Sequence, residues 1–549
     1  MRTGLTAALV AALAAAASSN EAAAQEQAAE RLVSTRFAPL ARPALAADEA
    51  APILKTPPPG LAPGARSADD GPRFVLNGVD FVIEGPSPFA EGYLRDAAAP
   101  LIGAEVALGD LETFRRLLSE ELVKAGYIGA AVAIPEQRIE NGVVLFRVVV
   151  GRLAAVFIAG ERVGDGIGEL APDYIGRRVS GDPNAALNVN VLQERLRALI
   201  ADRNVERVSA DLRPTGRAGE VELAIDAVAR RPWDLAIALS NDGASASGEL
   251  KGSLSGAYRN LTGHGDQMTL DLFVTEGAVG AAATLDGPLP NGSLTPFLRL
   301  EAQRARVIEA PLDELDIESR VFSVSAGLAA PLLSNSAEYL GVTAQLALKR
   351  TETTLSDQPF AFSPGVGEDG VTRLTVLTVA QDYSRRDVDW ALAARSSFNI
   401  GLSVLGASSD DGADDAPDER FLSWVGQVQG VYAATDDLTL IARAQAQFAD
   451  GPLLPAADVA IGGRSSVRGF REGAVVSDQA VAGTLQADFV LGDLTLPGVD
   501  GSVASPVALS PFVDAGRAWN IGEGGSSTLV GVGAGLSWSP FPQVDLLIE

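Results

Sequence analysis

A chain of 549 residues is too long for one ordinary domain, and several are expected. It has no cysteine and one histidine, which excludes a disulfide framework and any cysteine or multi-histidine metal site. Its net charge of −27 repels nucleic acid, so DNA and RNA are discounted as partners.

Residues 1–24 read as a secretory signal. Arg2 supplies the positive start, 5–17 is the apolar stretch, and Ala22-Ala23-Ala24 offers a small-residue cleavage site. Mean hydropathy is slightly positive, +0.16, with 21% of residues charged. Yet no later run reaches 18 apolar residues, so a spanning helix is not expected. An exported, partly hydrophobic chain without spanning helices is either soluble in the periplasm or a β-barrel. Residues 25–72 are rich in alanine and proline, with Pro57-Pro58-Pro59-Gly60 among them, which favours an extended linker. Within it, 26–40 has the composition of a short amphipathic helix; plain disorder is the alternative.

From 73 to 151 the order reads strand, helix, helix, strand, strand. The stretch 74–84 alternates loosely and is rich in Val, Ile and Phe. Ser87-Pro88 has the pattern of a helix start, and Asp110 that of the cap of a second helix. Leu111, Phe114, Leu118 and Leu122 form the apolar face of that helix, and Gly126 ends it. Strands follow at 130–135 and 143–150. Residues 152–231 repeat this order: a strand at 154–159, a helix capped by Asn190 with Leu192, Leu196 and Leu199 inward, then strands at 205–212 and 220–227. Two such units in tandem, without a titratable pocket, read as α+β binding modules.

From Trp233 onward helical periodicity disappears. Segments of about ten residues alternate in polarity, the pattern of an outer-membrane barrel. In 438–448, Leu438, Leu440, Ala442, Ala444, Ala446 and Phe448 would face lipid, and Thr439, Arg443, Gln445 and Gln447 the lumen. Leu340, Val342, Ala344, Leu346 and Leu348 are likewise lipid-facing, with Thr343, Gln345 and Lys349 opposite. Leu298 and Leu300 face out, and Arg299, Glu301 and Gln303 in. Charged residues are tolerated on such strands because the lumen is wet. A long loop is expected over 449–480.

Two motifs lie late in the barrel. One is Val467-Arg468-Gly469-Phe470, within the loop. The other is Phe512-Val513-Asp514-Ala515-Gly516, on a strand. V-R-G-F followed by F-x-D-x-G resembles the outer-membrane assembly and secretion superfamily. Pro232-Trp233, Asn241-Asp242-Gly243 and the stretch Asn260-Leu261-Thr262-Gly263-His264-Gly265-Asp266 resemble its two-partner-secretion branch, the haemolysin secretion/activation family, over 73–549. That resemblance implies two POTRA domains, 73–151 and 152–231, in the periplasm, and a barrel over 232–549 in the outer membrane with about sixteen strands. Roughly fifteen strands can be counted here, and the chain stops at Glu549 where the family usually has one more, so the last strand is expected to be missing. The resemblance also implies a pore loop pinned by an ion pair between Arg468 and Asp514, with Val467, Gly469, Phe470, Phe512 and Gly516 shaping the contact, and a plug helix at 26–40. The bland alternative makes Arg468 and Asp514 turn residues that never meet.

The partner implied is a large unfolded exoprotein of haemolysin, adhesin or toxin type with an N-terminal secretion domain. It would be taken up on a POTRA sheet edge, from the second or third strand of either unit. Outer-membrane lipid is the other partner, and a single copy is expected to suffice. No phosphate-binding glycine loop is present, so export would draw on the partner's folding outside. The runner-up is an assembly factor inserting other barrels, though such factors typically carry more POTRA units. His264 reads as a turn residue. Asp410, Asp411, Asp414, Asp415 and Asp418 read as a solvated outer loop, with calcium binding as the alternative. No enzyme activity, metal or cofactor is expected.

Overall fold

The computed structural model describes residues 54–55 and 73–549, except 91, 183–184, 201, 218, 290–292, 311, 336, 361–368, 409–416, 497–498, 500–502 and 523. The signal, the 26–40 helix and four of the five loop aspartates lie outside the described residues. The chain divides into two compact units, with the break between Arg230 and Arg231.

The first unit holds both α+β modules. It begins with a two-residue strand β1 (Leu54–Lys55). The first module runs β2 (Phe74–Val75), β3 (Gly78–Glu84), α1 (Tyr93–Ala98), β4 (Glu105–Val106), α2 (Leu108–Lys124), β5 (Ala131–Ala133) and β6 (Val143–Val149). Its sheet order is β3-β6-β5, with β3 and β6 parallel. Leu111, Leu118 and Leu122 of α2 close the core against Val144, Phe146 and Val148. Each such leucine contributes about 1.5–3 kcal/mol by leaving water.

Three sequence expectations are corrected here. The expected first strand is two, broken at Leu76-Asn77. Ser87-Pro88 starts no helix; α1 begins at Tyr93 behind Gly92, whose φ of +85° only glycine adopts readily. Asp110 is the third residue of α2, not its cap: its carboxylate accepts the Ala107 N–H at 2.9 Å, so it satisfies the helix start from inside.

The second module runs β7 (Arg152–Glu161), α3 (Pro172–Ser180), α4 (Val189–Ile200), β8 (Val205–Pro214) and β9 (Glu220–Ala229). Its sheet order is β1-β8-β9-β7, so the third strand of each module is central and the outer strands are the second and first. That corrects the expectation that the third strand could offer an edge. The cap of α4 is Asn188, not Asn190: its Oδ1 accepts the N–H groups of Asn190 and Val191 at 3.0 and 3.3 Å. Leu192, Leu196 and Leu199 are fully buried. Asn188 also donates to the Ala125 carbonyl at 2.9 Å, tying the start of α4 to the end of α2.

The second unit is one antiparallel sheet of sixteen strands. In order they are β10 (Trp233–Ser240), β11 (Lys251–Arg259), β12 (Gln267–Val274), β13 (Ala278–Asp286), β14 (Thr295–Arg306), β15 (Ile317–Ser334) and β16 (Glu338–Leu355). The short β17 (Gln358–Pro359) hangs on β16. Then come β18 (Val371–Arg386), β19 (Trp390–Gly401), β20 (Leu422–Thr435) and β21 (Leu438–Ala449). A separate hairpin, β22 (Val459–Ile461) with β23 (Val475–Ser477), lies inside the long loop. β24 (Gln479–Leu494), β25 (Ser505–Trp519), β26 (Ser527–Phe541) and β27 (Val544–Ile548) complete the wall. Neighbours in sequence are neighbours in the sheet, the up-and-down order of a transmembrane barrel. Among the described residues no pairing joins β10 to β27. No described helix is long and apolar enough to cross a membrane.

The sheet's two faces differ sharply. Along β25, Ser510, Phe512, Asp514, Gly516 and Ala518 are buried, and Leu509, Val513 and Ala515 at the alternate positions are exposed. The buried row faces the folded-back loop, which marks it as the inner face. The outer face is apolar and exposed, with Val532 at 77% and Leu485 at 67%. Only a hydrocarbon surround makes that arrangement stable. Ile441 is inward and buried too, an apolar residue at a lumen position that alternation alone would have left polar.

Candidate functional site: a loop pinned to the inner wall

The loop 450–478 returns from the far end of the sheet and lies against the inner face of β24, β25 and β26. Its own hairpin, β22 with β23, gives it a rigid base. Ile461, Val459 and Val467 pack there against Ala480, Ala518 and Leu529 of the wall, all buried.

At the tip, Arg468 is 7% exposed and Asp514 is 0% exposed. The pair is bidentate: Arg468 Nε donates to Asp514 Oδ2 at 2.8 Å and Nη2 to Oδ1 at 3.0 Å. The Arg468 backbone N–H also donates to Oδ2, at 3.0 Å. Nη1 reaches Gln486 Oε1 at 2.9 Å and Glu549 Oε1 at 2.8 Å. The guanidinium lies 3.4 Å above the centroid of the Phe512 ring. A planar fork that stacks and donates in two directions at once is a task for arginine, not lysine. Removing one partner would leave a buried charge unpaired, a loss of about 3–5 kcal/mol.

The glycines explain how the loop comes so close. Gly469 has φ +87° with open space around it, so conformation and not crowding requires it. At Gly516 the reason is contact: a Cβ there would stand 2.9 Å from a Val467 methyl carbon. Val467 is fully buried beside it. Phe470 stands apart, its side chain 39% exposed.

Other contacts were not foreseen. Gly531 on β26 faces the loop, and a Cβ there would lie 2.1 Å from the Arg468 carbonyl oxygen. The signal was available as Gly531-Val532-Gly533-Ala534-Gly535, glycine at alternate, hence inward, positions. Asp478 anchors the loop's base, its two oxygens accepting the N–H groups of Leu453 and Ile521 at 2.7 Å each. Beside it, in the loop, burial and the Asp478 charge push the Asp458 carboxyl up to about 7. Lys349, Gln447 and Gln445 donate from the wall to the loop carbonyls of Ala456, Ala457 and Ser465 at 3.2, 3.1 and 3.2 Å. His264 is a turn residue, its Nδ1 2.7 Å from the Thr262 carbonyl. Among the described residues no acidic or histidine cluster has the make-up of a metal site.

A helix-covered POTRA-type module ahead of an up-and-down transmembrane sheet, with a loop folded against the inner wall, is the architecture of an outer-membrane β-barrel protein with periplasmic binding modules. Residues 219–538 match the family model of the haemolysin secretion/activation protein ShlB/FhaC/HecB, and 74–151 match that of the ShlB-type POTRA domain. The chain belongs to that family, and is an outer-membrane transporter of two-partner secretion with its POTRA domains in the periplasm. It is 23% identical over 504 residues to the outer membrane transporter CdiB of Escherichia coli, covering 90% of this chain and 80% of the relative. Over 231 residues it is 24% identical to the heme/hemopexin transporter protein HuxB of Haemophilus influenzae, 41% of this chain and 39% of that one. The solved structure of CdiB from Escherichia coli superposes with a TM-score of 0.64 at 20% identity, covering 88% of this chain and 87% of that one. CdiB from Acinetobacter baumannii gives 0.56 at 15% identity, covering 88% of each. These two likenesses establish the fold.

Proposed function

We propose that the POTRA units capture an extended segment of one large, unfolded exoprotein and that the chain passes it through the barrel once the Arg468 loop leaves the wall. The observation that carries this reading is the loop's attachment: one bidentate arginine, buried, holding a hairpin inside the sheet. Of the contacts that hold the loop, this pair is the buried charged one at its tip, and breaking it leaves Asp514 without its cation and favours release. The capture edge in this reading is the outer side of β8. Among the described residues only Ala210 and Asp211 of its ten residues are paired outward, to Leu54 and Lys55. An extended client would add its own backbone hydrogen bonds along the remainder. Folding of the client outside supplies the drive, because a folded outer state cannot slide back. One copy of the chain carries the whole path. The partner is a secreted protein of the size class of haemolysins, adhesins or toxins.

The test is secretion of the partner into the medium by wild type and by Arg468→Ala, with barrel insertion verified by heat-modifiable gel mobility. A variant that inserts normally while the partner stays in the periplasm supports the reading. Unchanged secretion removes Arg468 from the mechanism. A pull-down that recovers many barrel clients, in place of one exoprotein, would move the assembly-factor reading ahead.

A further inference from the structure

On its inner face, β21 holds the loop through groups that recognise peptide and not sequence. Gln447 Nε2 donates to the carbonyls of Ala457 and Asp478 at 3.1 and 3.2 Å, and Gln445 Nε2 donates to that of Ser465 at 3.2 Å. Every acceptor is a main-chain oxygen, so none of these contacts depends on which side chain the loop carries there.

The row continues beyond the loop contacts onto β20. Gln427 stands directly opposite Gln445, and Gln429 directly opposite Arg443. The four glutamines face inward, at positions alternating with the exposed Val428 and Phe448. No inward residue of β20 from Ser423 to Val431 is charged, whereas β14 presents Arg299 and Glu301 on the same face. Gln429 is only 1% exposed, yet neither its Oε1 nor its Nε2 has a hydrogen-bond partner among the described residues. It borders a cavity of about 20 Å³, the size of one water, also lined by Ser465 and Ser466 of the loop. A buried primary amide left without a partner is costly, so the position calls for a polar occupant.

An unfolded chain inside a lumen has the complementary need. Its backbone N–H and C=O groups leave bulk water, and each requires a partner. A glutamine amide offers donors and an acceptor on one neutral group. Residues two apart on a strand are separated by about 6.6–6.8 Å, which is also the repeat of the carbonyls along one side of an extended peptide. Gln427 with Gln429, and Gln445 with Gln447, therefore match the backbone of any extended sequence. Being uncharged, each makes a contact weak enough to be exchanged for the next as a chain advances.

We propose that Gln427, Gln429, Gln445 and Gln447 form a track for the main chain of the unfolded client, and that the docked loop occupies part of this track in the client's place. The track rests on the reading that a client passes through this barrel, and it adds where along the wall and by which groups.

The experiment places a photoreactive benzophenone side chain at position 429, or at position 269 on the inner face of β12, seven strands away in the sheet. Both are tested in cells that co-produce the full chain and its pulse-labelled secreted partner. Adducts with the partner are expected at 429 in clear excess over 269. Continued export with adducts equal at the two positions, at 269 alone, or at neither overturns the track and leaves the transport reading standing. A partner that leaves cells lacking this chain at the wild-type rate overturns the transport reading, and the track with it. In a second arm, Gln429→Leu removes an amide that bonds to no loop atom. Export should slow about three- to ten-fold, the scale of one neutral hydrogen bond, with proteolysis of the docked loop and heat-modifiable mobility unchanged. Gln429→Asn, which keeps the amide, should retain most of the rate. Equal export by Gln429→Leu and wild type overturns the proposal.

Discussion

The modules of 73–230 and the wall of 231–549 are built inside out relative to one another. In the modules the fully buried side chains are Phe146, Leu111, Ile175, Leu196 and their neighbours, gathered in two apolar cores. In the wall the buried side chains include Arg299, Gln345, Gln429, Ser323 and Asp514, and the large apolar residues point outward. The first region is held by burial of hydrocarbon away from water. The second is held by a continuous ladder of backbone hydrogen bonds from β10 to β27, with lipid as the solvent for one face and polar contacts on the other. A substitution should therefore act by different physics on the two sides of Arg230.

The largest expected effect that sharpens this contrast is in the modules. Leu196→Ala opens a cavity at a fully buried site and should cost about 2–5 kcal/mol. Denaturant unfolding followed by far-ultraviolet circular dichroism should show the module transition move, while heat-modifiable mobility of the barrel stays as in wild type. A simultaneous loss of both would mean the regions are not independent in stability. On the wall, Gly531→Ala tests crowding and not hydrophobicity. Its new methyl would meet the Arg468 carbonyl, and loop docking should weaken by about 1–3 kcal/mol. Limited proteolysis within 450–478 should speed up accordingly, with the sheet intact.

The smallest effect is a pH dependence confined to the loop's base. Asp458 is raised to about 7 by burial first and by Asp478 second. An unfolded carboxyl titrates near about 4. The docked loop therefore holds a proton that the undocked loop releases, and the stabilisation is full below about pH 4 and lost as pH rises through about 7. Proteolysis of the loop should be faster at pH 8 than at pH 5.5, and Asp458→Asn should flatten the profile. A wild-type profile independent of pH would show that Asp458 is ionised throughout.

The same contrast explains how much could be read from the sequence. Strands of the wall were legible because one solvent acts on each face, so alternation is strong, as in 438–448. The module helices were legible in their apolar faces, Leu111 to Leu122 and Leu192 to Leu199, but not at their ends. Asp110 serves as the third residue of its helix, and of two asparagines two residues apart it is Asn188 that caps; a polar side chain near a helix start has the same sequence signature in either role. The helix at Pro172–Ser180 contains no leucine, so its apolar face, Tyr174, Ile175 and Val179, is a weaker signal than its neighbour's. In the loop, the V-R-G-F and F-x-D-x-G motifs pointed to residues that the fold brings within hydrogen-bonding distance. Their companions Gln486, Asp478 and Gly531 come from other strands and turns, and no periodicity links them to Arg468. Phe470, although inside the motif, stays partly exposed.

The central claim, that the loop must leave the wall for transport, is tested most directly by locking it there. The chain has no cysteine, so a disulfide between Val467→Cys and Gly516→Cys would be the only one; a Cβ at 516 would stand 2.9 Å from the Val467 methyl that the first substitution removes. Secretion of the partner by cells carrying the double variant should be blocked in oxidising medium and restored by a mild reductant, with barrel insertion unchanged in both. Full secretion with the disulfide formed would contradict the account.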